Sequence, residues 1–415
     1  MKQRALWHRL WHSPYLWRSS FYSGAQMAVQ ILLGMGQIWA LANYLPRASY
    51  GIWGYCAGIT GLVSIFTLPG MGQMITYGAA RQMDGVLWAG VRIRLQFGVV
   101  ASLLLLAIAA WHWQTEQRET AGMLLLAAFF LPAQLALDSM DAYLNGTGNF
   151  KALFWRRLLA QGTLAVAVAL AAWYSRSLLL CALLLYGGGF LLSLLLFLSL
   201  LPQRRNRDLP ENFLSLSRQF SLQSIGNTIG YNMERPLLAR FISFEEMAAY
   251  NLALAAQLAV GMGRLVDRIL ISRLADPSRG VTITQVRWGM QVLFVLGGLG
   301  YLVLLFLLQQ LLPLLLPHYV DALPIMAILL LQMPFTWSTS LGLSWLLARP
   351  EHHPYYHRVT WLIMVARILL LSAGAVLAGS QGLAWAWVVL ECGQFFMVFH
   401  LVRSDQTLSQ PSSPP

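Results

Sequence analysis

The sequence predicts an all-α polytopic membrane protein, with about twelve transmembrane helices in two six-helix lobes related by a parallel pseudo-twofold repeat. Three observations carry that prediction. Of 415 residues, 57% are hydrophobic and 11% are charged, whereas a soluble domain carries about 25% charged residues. Runs such as "VVASLLLLAIAAW" and "YLVLLFLLQQLLPLLLP" have no stable place in water. Apolar windows about 20 residues long, each able to span roughly 30 Å as a helix, recur along the whole chain.

The windows fall at 19–45, 51–77, 91–112, 121–144, 156–174, 177–201, 215–241, 246–271, 287–312, 322–347, 359–379 and 382–402. Segment one, "SSFYSGAQMAVQILLGMGQIWALANYL", places Ser19, Ser23, Gln26, Gln30 and Gln37 at steps of three, four and seven, which is one helical face. Segment two opens on Tyr50 after a short polar turn. Segment four ends near Asp138 and Asp141, where a helix-end role is expected, before "LNGTGNFK". Segment seven is the polar one: Gln223, Asn227, Tyr231 and Glu234 recur at steps of four and three, and "GYNMERPLLARF" adds Asn232, Arg235 and Arg240. Segment eight opens on Tyr250 and carries Arg264, Asp267 and Arg268 towards its inner end, where the arginines meet phosphates or snorkel to the headgroups. Segments eleven and twelve are joined by "AGSQG", so they are antiparallel neighbours that set Arg367 and Glu391 at similar depth, as a buried ion pair or a coupling site.

The net charge of +12 is explained by orientation. With the N-terminus in the cytoplasm, inner connections hold Arg81, Arg92, Arg94, Lys151, Arg156, Arg157 and "RRNR" at 204–207, among others. The outer ones hold only Arg47, Arg118, Arg176, Arg235 and Arg240. The basic charge is then a topogenic signal that sets both termini in the cytoplasm, not a nucleic-acid footprint. Lysine occurs only as Lys2 and Lys151; that arginine bias suits phosphate contact and equally follows from GC-rich codon usage.

The organisation read from these patterns is an interfacial segment at 1–18, an N-lobe at 19–201, a hydrophilic linker at 202–214, a C-lobe at 215–403 and a disordered tail at 404–415. Segments one and seven hold equivalent places in the two halves, and each carries a polar stripe. Such groups need partners or water in lipid. Interhelical hydrogen bonding would satisfy them, and so would a shared aqueous cavity. The candidate substrate-contacting residues are therefore Gln26, Gln30, Gln37, Gln223, Asn227, Asn232, Glu234, Arg235, Arg264 and Arg268. A straight segment seven starting near 215 would carry Glu234 and Arg235 roughly 30 Å along, to the outer mouth. Cys56, Cys181 and Cys392 lie in separate apolar stretches with no metal-ligand spacing, and no GxxxxGK[ST], HExxH or GxSxG motif occurs. No metal, cofactor or catalytic residue is expected, and the short outer connections argue against a membrane-embedded glycosyl transfer enzyme.

"WALANYLPRASYGIWGYCAGITGLVSIFTLPGMGQMITYGAARQ" at 39–82 resembles the opening of the O-antigen and polysaccharide flippases (Wzx-type) of the multidrug/oligosaccharidyl-lipid/polysaccharide exporter superfamily, with Tyr50-Gly51, Gly70, Gly72 and Arg81 at the matching places. "YLNGTGNFKALFWRR" at 143–157 resembles their connection after helix four. The resemblance implies an inner-membrane flippase for undecaprenyl-diphosphate-linked oligosaccharide, with a polysaccharide polymerase and chain-length proteins as further partners. Drug antiporters and lipid II flippases of the same superfamily are the competing readings; the former usually carry an essential membrane acid, for which Glu234 or Glu391 would have to serve.

Overall fold

The computed structural model of the chain describes residues 14–200, 206–211, 213–261, 283–348 and 353–404. Among the described residues every regular element is helical. The predicted interfacial segment 1–18 and tail 404–415 fall almost wholly outside them, as do Arg264 and Arg268.

The chain divides into two compact units, Met1–Met233 and Glu234–Pro415. The first contains α1 (Pro14–Tyr44), α2 (Arg47–Val63), a 3₁₀ turn (Ser64–Thr67), α3 (Met71–Ala80), α4 (Gly85–Gln114), α5 (Arg118–Leu137), α6 (Ser139–Gly146), α7 (Phe150–Ser175), α8 (Leu178–Leu183), a π turn (Leu184–Gly188), α9 (Gly189–Leu200) and α10 (Phe213–Asn232). The second contains α11 (Glu234–Leu238), α12 (Phe244–Ala253), α13 (Ala256–Gly261), α14 (Ile283–Leu315), a 3₁₀ turn (Pro317–Ala322), α15 (Leu323–Leu330), α16 (Met333–Ala348) and α17 (His353–Ser404).

Eight helices among the described residues are long and apolar enough to cross a membrane, or up to nine if Arg47–Thr67 and Met71–Ala80, bent by 53°, form one span. The protein is thus a multi-pass membrane protein. The last of these spans covers both windows expected at the end of the chain. It is interrupted inside α17 at Ala378 and at Gly379, where φ of +55° suits a residue without a Cβ. That break coincides with the "AGSQG" turn. The windows at 215–241 and 246–271 yield shorter helices, α10 to α13, that do not qualify as spans among the described residues.

The compact division falls some twenty residues after the hydrophilic linker that the sequence marks as the boundary. Two close approaches tie α10 to the first unit. A Cβ on Gly70 would collide with the backbone of Phe220 and Ser221, and one on Gly61 with the Asn232 side chain. The linker is tied down as well: Asn206 donates to the Gln82 carbonyl (2.7 Å) and accepts from the Asp84 N–H (2.8 Å). The straight helix expected at 215–241 stops at Asn232, and α11 starts at Glu234. Pro236 supplies the cause, since it has no N–H to give the Asn232 carbonyl and its ring would press against that oxygen.

Met71, Met74, Ile75, Val86, Met140 and Leu144 form the core where α3, α4 and α6 meet. In the second unit Val286, Met290, Trp345, Val398 and Val402 play that part for α14, α16 and α17. The polar turn before α12 is an N-cap: the Ser243 hydroxyl accepts from the Glu246 N–H at 3.2 Å.

Candidate functional site

In the first unit α1 lies along α7. The contact starts with the Tyr22 and Phe154 rings (5.8 Å between centroids) and continues to Leu33, 3.8 Å from where a Gly162 Cβ would stand. Between these ends is a shallow, open cleft, lined by Gln26, Val29 and Gln30 from α1 and by Phe154, Arg157, Leu158 and Gln161 from α7. The α7 residues are spaced i, i+3, i+4 and i+7, and those of α1 i, i+3 and i+4, so each set is one helical stripe. Gln26 and Gln30 are half-buried. No protein hydrogen bond reaches the side chains of Gln26, Gln30 or Gln161 among the described residues.

Arg157 is held from below by Asp141 of α6. Its Nε donates to Asp141 Oδ2 at 2.8 Å, and its side chain remains 31% exposed. The other Asp141 oxygen takes Nη1 of Arg156, a buried side chain that also approaches Asp138 at 3.7 Å. Asp138 accepts from the Ser193 hydroxyl at 3.0 Å. Nearby, Arg94 Nη1 donates to the Leu135 carbonyl (2.9 Å) and the Ser139 hydroxyl (3.1 Å), and Tyr143 Oη donates to Asp84 at 2.5 Å. Asp138 and Asp141 do sit at helix ends, as the sequence suggests, but they also bind the two adjacent arginines of α7. Arg157 and Gln161 are not among the residues the sequence singles out, because Arg156 and Arg157 read there as topogenic charges. The four-residue stripe in "FWRRLLAQ" is the signal that would have found them.

The second unit holds a different arrangement. Glu234 is 4% exposed, and its Oε2 accepts from Tyr250 Oη (2.9 Å) and Trp387 Nε1 (2.7 Å). The buried Arg367 guanidinium lies 4.8 Å from the centroid of the same Trp387 ring. Glu391, also buried, accepts from Thr336 Oγ1 at 3.1 Å. The sequence pairs Arg367 with Glu391; the ring that Arg367 covers, Trp387, is one turn before Glu391 on α17. The sequence also sets Glu234 on a cavity-facing stripe at the outer mouth. The structure buries it within its own unit, where the carboxylate meets Tyr250 and Trp387.

The remaining candidates fall out as follows. Gln37 is half-buried on α1, outside the residues that line the cleft. Asn232 donates to the Thr228 carbonyl at 2.8 Å and packs on Gly61. Arg235 is half-buried on α11. Gln223 and Asn227 lie in α10, but their side chains are outside the described residues. Among the described residues no group of His, Cys, Asp and Glu has the geometry to hold a metal ion.

Residues 16–265 match the family described as "Polysaccharide biosynthesis protein", and the chain belongs to that family. No curated protein matches the sequence. Among solved structures, an inward-facing multidrug resistance MATE family transporter of the MOP superfamily superposes with a TM-score of 0.67, at 13% identity over 92% of this chain and 96% of that one. The lipid II flippase MurJ in an inward closed conformation gives 0.67, at 12% identity over 93% of this chain and 87% of that one. An outward-facing MATE family transporter, at 14% identity, covers 95% of this chain and 96% of its own. At these identities the likeness is one of fold alone.

Proposed function

We propose that this protein is a flippase that carries a polyprenyl-diphosphate-linked oligosaccharide, built on undecaprenyl diphosphate, across the bacterial inner membrane by alternating access. Both termini lie in the cytoplasm, as the arginine distribution argues. The observation that carries the reading is the α1–α7 cleft inside a member of the polysaccharide biosynthesis family. Amide side chains left unbonded in an apolar helix need water or a polar ligand. The cargo has a polar glycan for those amides, an anionic diphosphate for arginine, and a prenyl tail that stays in lipid. Arg235 is offered as a further phosphate contact, and Arg264 and Arg268 as contacts on the cytoplasmic side. Movement of the polar headgroup past the apolar core makes no covalent bond, so the reading needs no catalytic residue. A polysaccharide polymerase and chain-length proteins would take the product.

A deletion strain tests this against the antiporter reading. Loss of surface glycan, restored by the plasmid-borne gene and with drug sensitivity unchanged, is the expected result. Unchanged glycan with increased drug sensitivity would overturn it in favour of a cation-coupled multidrug antiporter.

A further inference from the structure

We infer that Arg157, steadied by Asp141, is the anion-binding residue of the α1–α7 cleft, and that the cleft takes the diphosphate and the first sugar of the cargo. This rests on the lipid-linked glycan reading and names the part of the cargo that the cleft recognises.

Three observations lead there. First, Asp141 engages only Nε of Arg157, which leaves the terminal amino groups without a protein partner among the described residues. A guanidinium held at one edge keeps its outer fork oriented, and that fork matches two oxygens of a phosphate. Second, the adjacent Arg156 is used up differently. It is 5% exposed and directed into Asp138, Asp141 and the Leu137 carbonyl. Asp138 and Asp141 match Arg156 and Arg157 in number, and of the two cations only Arg157 keeps its terminal amino groups open next to the cleft. Third, the cleft offers chemistry for a sugar beside that charge. Gln26, Gln30 and Gln161 supply donors and acceptors for hydroxyls, and Phe154 supplies an apolar ring.

The same anion chemistry exists in an ordinary anionic phospholipid, so the test separates the two. Purified protein in nanodiscs of zwitterionic lipid is titrated with farnesyl diphosphate, farnesyl monophosphate and farnesol, following intrinsic tryptophan fluorescence or thermophoresis. Wild type is expected to bind the diphosphate best and farnesol least. Arg157→Gln should weaken diphosphate binding about tenfold or more while leaving farnesol binding as it was, and Arg157→Lys should fall between. Gln161→Leu, which spares the Asp141 network, gives the second reading: it should weaken a glycosylated prenyl diphosphate more than the bare one, even if Arg157→Gln does not fold. Diphosphate binding by folded Arg157→Gln that equals wild type would overturn the inference alone. No diphosphate binding by wild type would overturn the transport reading with it. Equal displacement of the probe by phosphatidylglycerol would also overturn it, making the cleft a general anionic-lipid site.

Discussion

The two units each set carboxylates next to arginines, and they use them in opposite ways. In the first, Asp141 grips Arg157 by one edge, and Arg157 lines a cleft together with three glutamines that make no protein hydrogen bond among the described residues. In the second, Glu234 takes both of its donors, Tyr250 and Trp387, from its own unit, and Arg367 is stacked on the same indole. The residue types are nearly the same. The difference lies in what is left over once protein partners are satisfied. A polar group whose bonds all close inside the unit holds helices together, and one whose bonds stay open is available to a ligand. Polarity within a membrane helix therefore does not identify a site until its partners are known.

The largest effect should come from breaking the closed group. Glu234→Ala strands the Tyr250 hydroxyl and the Trp387 indole N–H in a buried setting, and should cost about 2–5 kcal/mol. Thermal unfolding of the detergent-purified protein would show it, with Glu234→Gln losing less because one carbonyl acceptor remains. An unchanged melt for Glu234→Ala would mean that the second unit is not closed as described.

The next effect sharpens the contrast within two neighbouring residues. Arg156→Gln removes a buried cation from Asp138 and Asp141 and should destabilise by about 1–3 kcal/mol. Arg157→Gln, at a partly exposed side chain, should cost under about 1 kcal/mol. Surface glycan at matched expression should reverse that order, with Arg157→Gln losing most of its export. Equal melting temperatures and equal export for the two variants would erase the distinction between an open and a closed arginine.

Smaller still is the accessibility difference. A cysteine at Gln30 should react with a membrane-impermeant maleimide, and one at Leu104 on α4 should not. Equal labelling at both positions would remove the aqueous character of the cleft. Arg235→Gln is the finest of these tests. A phosphate contact there predicts reduced export, with partial recovery in Arg235→Lys; full export by Arg235→Gln would remove it from the transport path.

Most of the helical framework was legible in the sequence, because the length and apolarity of a membrane-crossing helix are local properties. The α1 stripe was legible for the same reason: Gln26 and Gln30 sit one turn apart. The break at Met233 was less so. Pro236 is visible in the sequence, but the carbonyl it disturbs is four residues earlier, so the chain parts before the proline. The partners were not legible. Trp387 lies 153 residues from Glu234, and nothing local to "GYNMERP" identifies the indole that takes its carboxylate. Arg156 and Arg157 are adjacent in the sequence, yet about 100° apart around a helix of 3.6 residues per turn. That rotation sends one into the Asp138–Asp141 network and the other to the cleft, and a count of charges per connection cannot see it.

Reconstitution tests the central claim most directly. Protein in liposomes would be supplied, on the outer leaflet, with a prenyl-diphosphate-linked oligosaccharide carrying a fluorophore on the glycan. Loss of accessibility to an added membrane-impermeant quencher would then be followed. The account predicts protein-dependent movement of the glycan to the inner leaflet, reduced about tenfold or more in Arg157→Gln by loss of a charge-assisted bond. No movement above that of empty liposomes, with uptake of a cationic dye in the same vesicles, would contradict it.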